Sequence, residues 1–67
     1  MSDLAGRIAA LPGALSVPKL ATLLGFSRSA IYEMAQSGRI PHIRIGSSIR
    51  FDPALTAQWL RERTVAQ

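Results

Sequence analysis

Few side chains in this 67-residue chain can do covalent chemistry, since it holds one histidine, four Asp or Glu residues and no cysteine. A Ser-His-Asp relay would have to use His42, with Asp52 to orient its ring. No nucleophile elbow, oxyanion loop or cleft-forming pattern accompanies them. One histidine without cysteine does not make a zinc site, so no metal, cofactor or small-molecule ligand is expected. The lack of cysteine also removes disulfide staples and thiolate nucleophiles. What remains is the chemistry of cations. Eight Lys or Arg residues against four acids give a formal charge of +4. Between Ser27 and Arg50 the basic residues are Arg28, Arg39, Arg44 and Arg50 and the sole acid is Glu33, so that stretch carries +3 of the total. Such a concentration points to a polyanion, nucleic acid ahead of an anionic membrane. The plain alternative is an ordinary solvated arginine face.

These residues must be held by a small body. A chain of this length folds as one domain, with a core worth only ~3–5 kcal/mol. Its 48% apolar content is that of a globular chain. No apolar run approaches the roughly 18 residues of a membrane span. Ile8-Ala9-Ala10-Leu11 is too short for a signal-peptide core, so a cytoplasmic protein is expected.

The periodicity divides the chain into residues 1–14, a short helix or arm; residues 15–63, a folded domain; and residues 64–67, a frayed tail. In the arm Leu4, Ile8 and Leu11 make one stripe, weakened by Gly6 and ended by Pro12-Gly13. Ser16 is a good N-cap with Pro18 in the first turn, and Val17, Leu20, Ala21 and Leu24 share one helical face that Gly25 terminates. A second helix starts at its cap Ser27, buries Ile31, Met34 and Ala35, and ends at Gly38. Alternation follows: Ile43 and Ile45 on one face, His42 and Arg44 on the other. Gly46-Ser47-Ser48 reads as a turn and Ile49-Arg50-Phe51 as the return strand. Pairing Ile45 with Ile49 across that turn sets Arg44 opposite Arg50 and His42 opposite Asp52, an unfavourable arginine pair unless a phosphate lies between them. Asp52-Pro53 opens a last helix with Leu55 and Trp59 on one stripe and Leu60 beside them. Trp59, Leu55, Leu24 and Phe26 are expected to share one core. The result is a mainly α fold with a small β-hairpin: a winged helix-turn-helix in which two helices cross over a three-residue turn.

From Leu15 to Leu60 the chain resembles the small winged helix-turn-helix domains of the excisionase family, related to the N-terminal domains of MerR-type regulators. The resemblance rests on Val17 to Gln36 as the helix-turn-helix unit and on Ser27-Arg28-Ser29-Ala30-Ile31-Tyr32 as the start of a recognition helix. It rests also on Gly38-Arg39-Ile40-Pro41-His42-Ile43-Arg44-Ile45-Gly46, Ile49-Arg50-Phe51 and Asp52-Pro53 as a wing and the entry to the last helix. Pro18-Lys19 replaces the acidic first turn common in that family, and Glu33 stands where a basic residue is common. No long coiled-coil helix follows Leu60, which favours the excisionase-like reading over a ligand-sensing regulator.

The resemblance implies a partner, double-stranded DNA, with the second helix in the major groove and the wing on the adjacent minor groove or backbone. Ser27, Arg28, Ser29, Tyr32, Glu33 and Gln36 are then the recognition-helix candidates. Arg28 can take guanine O6 and N7 or a phosphate. Tyr32 reads either as a contact or as a half-buried cap on the core, and Glu33 either as a solvated charge or as an acceptor for cytosine N4. Gln36 lies one turn further along. Arg39, His42, Arg44, Ser47, Ser48 and Arg50 are the wing and backbone candidates, with Arg39 as a phosphate clamp and Lys19 as a further phosphate contact. An excisionase role implies several copies on adjacent sites, bent DNA and a site-specific recombinase (integrase) as partner, in a bacterial or phage setting. A small prophage-type transcription regulator, or a phage packaging or transposition module, is the nearest alternative. A protein-interaction adaptor is the alternative of another class.

Overall fold

The computed structural model describes residues 3–65; Met1 and Ser2 of the arm and Ala66 and Gln67 of the tail lie outside the described residues. In chain order the elements are α1 (Leu4–Ala9), β1 (Leu15–Ser16), α2 (Val17–Leu24), α3 (Arg28–Gln36), β2 (Ile43–Ile45), β3 (Ser48–Phe51) and α4 (Pro53–Arg63). Each helix begins where a side-chain oxygen takes up an otherwise orphaned amide. Asp3 accepts from Gly6 N at 2.7 Å, Ser16 from Lys19 N at 3.3 Å, Ser27 from Ala30 N at 3.1 Å and Asp52 from Leu55 N at 3.1 Å. At the end of α2, Gly25 adopts φ +74°, a left-handed conformation natural to glycine. That turn lets Phe26 N reach Ala21 O at 3.0 Å and leads straight into α3. Helix, tight turn, helix, hairpin and closing helix together make a winged helix-turn-helix.

The first helix is part of this body. It packs along α4, with Ala5 and Ile8 buried and Leu4 and Leu11 against the core. Ile8 is wholly inaccessible and shares one cluster with Leu20, Ile31, Ile40 and Phe51. The cost of Gly6, roughly 1 kcal/mol in a helix interior, is outweighed by that burial. Residues 4–9 therefore do not stand apart from the folded domain.

The sheet has three antiparallel strands in the order β1-β3-β2. β1, only two residues long, is too short for any alternation to announce it; it pairs Leu15 with Phe51 and Ser16 with Arg50. The hairpin register differs by one residue from that expected. Ile45 pairs with Ser48, Arg44 with Ile49 and Ile43 with Arg50, because the turn is the two residues Gly46-Ser47 and Ser48 already belongs to β3. Gly46 at φ +59° supplies the conformation that two-residue hairpin turns require. A one-residue slip moves every side chain to the other face. Arg44 and Arg50 thus point to opposite faces and form no repulsive pair. His42 precedes the strand, and its Nδ1 lies 3.0 Å from Ile40 O rather than against Asp52. Ile43 and Ile45 are exposed, because Ile49 and Phe51 occupy the buried face of β3 and Ile40 supplies the inward anchor before β2.

The shared core of Trp59, Leu55, Leu24 and Phe26 is corrected in the same way. The buried stripe of α4 is Pro53, Thr56 and Ala57, continued by half-buried Leu60, and its small members let α1 approach closely. Leu55 lies on the flank at 49% exposure and Phe26 in the helix-turn-helix corner at 53%. Leu24 and Trp59 are half-buried against the edge of the core. The Trp59 indole Nε1 donates to Arg39 O at 2.7 Å, tying α4 to the segment that leaves α3.

Candidate nucleic-acid interface

Helical spacing decides what α3 presents. Ile31 and Ala35 point into the core and Met34 is half-buried. Arg28, Ser29, Tyr32, Glu33 and Gln36 are all exposed, and Ser29, Glu33 and Gln36 follow one another at i, i+4 and i+7 along the outer face. The first turn of α3 contains no acid, so the unsatisfied amides there keep their partial positive charge beside Arg28. Ser27 uses its hydroxyl oxygen as the cap for Ala30 N and retains its own proton to donate outward.

Glu33 and Arg39 form an exposed ion pair, with Arg39 Nη2 3.7 Å from Glu33 Oε1. Two further contacts fix the arginine. Its Nε donates to Ser37 Oγ at 2.8 Å, and that hydroxyl in turn donates to Met34 O at 3.3 Å. Its carbonyl is held by Trp59. Over the face of the same indole, Arg63 places its guanidinium 4.4 Å from the ring centre. Gly38, Arg39, Pro41, Leu55, Trp59 and Arg63 border a shallow groove of about 430 Å³ between the segment that follows α3 and α4.

On the wing, Arg44 is exposed on β2, Ser47 stands at the turn, and Ser48 opens β3. Arg50 is half-buried, and its Nη1 donates to Ile49 O at 2.8 Å. Lys19, in the first turn of α2, borders a groove of about 430 Å³ together with Arg50 and residues 11–16, so two cations from distant parts of the chain meet there. The candidates on α3 share one helix face, and Lys19 joins Arg50, but Arg44 and Arg50 do not join each other. Ser37, the support of Arg39, and the exposed pair Ile43 and Ile45 escaped the reading of the sequence. A two-residue count for the Gly46-Ser47 turn would have found the isoleucines.

Among the described residues no group of three or more His, Asp or Glu side chains is placed to hold a metal, and no helix is long and apolar enough to cross a membrane. The architecture and its open, basic helix-and-wing surface are those of a DNA-binding helix-turn-helix. A family model described as "Helix-turn-helix domain" matches residues 14–64, from the start of the sheet to the end of α4, and the chain belongs to that family. No curated protein matches it, and no solved structure does.

Proposed function

We propose that the chain is a sequence-specific binder of double-stranded DNA that acts as an excisionase-type architectural factor, bending DNA to direct a site-specific recombinase. The observation that carries this reading is the exposure of Arg28, Ser29, Tyr32, Glu33 and Gln36 on one helix, followed in the chain by a hairpin that bears Arg44 and Arg50. The α3 face supplies base readout, with Arg28 on guanine and Ser27 and Ser29 on phosphate or base edges. Arg44, Arg50, Ser47, Ser48 and Lys19 supply backbone contacts, with His42 at the root of the wing. Arg44 and Arg50 reach two different phosphates, since they leave opposite faces of the hairpin. In the recombinase role, further copies on neighbouring sites would extend the bend.

A duplex titration at several salt concentrations, with fluorescent labels at the two DNA ends, tests this. Binding that weakens steeply with salt, together with shortening of the end-to-end distance, is the expected result. Salt-dependent binding to a duplex that stays straight would replace the recombination role by simple occupancy, as in transcription control. Absence of salt-dependent DNA binding would overturn the whole reading in favour of a protein-interaction adaptor.

A further inference from the structure

Glu33 is the one acid in the basic stretch from Ser27 to Arg50, and it stands in the middle of the outer face of α3, between Ser29 and Gln36. A bare carboxylate there would face phosphates and lower affinity for every DNA sequence. It is not bare, because the Arg39 guanidinium is paired with its Oε1. That guanidinium is itself steered by Ser37 Oγ, and the backbone of Arg39 is anchored by Trp59. The chain of contacts runs from α4 through Arg39 to the recognition face.

We infer that Glu33 is a specificity-determining residue that reads the exocyclic amino group of cytosine in the major groove, and that Arg39 is its positioning residue rather than a phosphate clamp. This rests on the DNA-binding reading above and names one base that it recognises. The ion pair engages Oε1, while a carboxylate has two acceptor oxygens, so Oε2 can accept from a base. A carboxylate accepts from the cytosine N4 amino group and gains nothing from the acceptors guanine presents at O6 and N7. Arg39 neutralises the charge against the phosphates and fixes the side chain, and its attraction strengthens once DNA displaces water from around the pair.

Selection from a pool of randomised duplexes, with the protein and its Glu33→Gln, Arg39→Gln and Arg39→Lys variants, tests the inference. The parent is expected to select cytosine at one position. Glu33→Gln should move that position to adenine, which glutamine reads through N6 and N7, with a change in preference of about tenfold. Arg39→Gln should lose most of the discrimination at that position and keep it elsewhere, and Arg39→Lys should restore a large part of it. Thermal melting of both Arg39 variants should match the parent, because the contact with Trp59 uses the backbone carbonyl. If Glu33→Gln instead binds every sequence more tightly with its preferences unchanged, Glu33 is only a repulsive charge and the inference falls. If the Arg39 variants lose affinity equally on all sequences, Arg39 is a phosphate contact and its positioning role falls. A parent that selects no duplex at all overturns the DNA-binding reading itself.

Discussion

Thr56 is the polar side chain buried completely in the core, and its Oγ1 has no hydrogen-bond partner among the described residues. Its backbone N–H is satisfied, donating to Asp52 O at 2.9 Å, so only the hydroxyl is at issue. An unpaired hydroxyl in an apolar setting costs ~1–3 kcal/mol. Valine has the same shape and a similar helix propensity, so Thr56→Val removes that cost without opening a cavity or overfilling the site. The net gain should be about 1–2 kcal/mol. In a domain whose core supplies only ~3–5 kcal/mol, that is a large fraction of the total. At roughly 4–8 °C per kcal/mol for so small a domain, the melting temperature should rise by about 5–15 °C. Thr56→Ser provides the contrast: it keeps the hydroxyl, loses a buried methyl group and should destabilise by about 1 kcal/mol. Thermal unfolding followed by circular dichroism measures both, and DNA affinity should stay the same because Thr56 faces away from the helix-and-wing surface. A lower melting point for Thr56→Val would refute the reasoning, since it would mean that the hydroxyl makes a hydrogen bond worth more than its burial costs.

The register of the wing separates two isoleucines close in sequence: Ile40→Ala should cost ~2–5 kcal/mol because Ile40 is buried, whereas Ile45→Ser, at an exposed position, should leave the melt within about 0.5 kcal/mol of the parent. Arg44→Gln should leave stability unchanged, because Arg44 faces Ile49 and not another arginine. In a salt titration on DNA it should reduce the magnitude of the slope of log K against log salt by roughly 0.9, the share of one phosphate contact. An unchanged slope would remove Arg44 from the interface.

Local signals in the sequence were sufficient for the helices that carry the candidate site. Ser16, Ser27 and Asp52 cap where a hydroxyl or carboxylate precedes an apolar stripe, and Gly25 ends α2 where a left-handed residue is required. These devices act over three or four residues and need nothing from the rest of the chain. The outer face of α3 was equally legible, because a 3.6-residue period that buries Ile31 and Ala35 leaves Ser29, Tyr32, Glu33 and Gln36 no direction but outward. Long-range packing decided the rest. The hairpin register turned on one residue of turn length, and the pairing of β3 with β1, which commits Phe51 to the core, fixes which face of the hairpin is buried and so leaves Ile43 and Ile45 facing out. Leu55 and Trp59 have the right spacing for a core stripe, but α1 docks on the neighbouring stripe of Pro53, Thr56 and Ala57. No local rule could reveal that, because the partner helix lies some fifty residues away. The Trp59 bond to the Arg39 carbonyl exists for the same reason, since it joins residues twenty apart that only the closed fold brings within reach, whereas the Glu33–Arg39 pair it anchors is local to the end of α3.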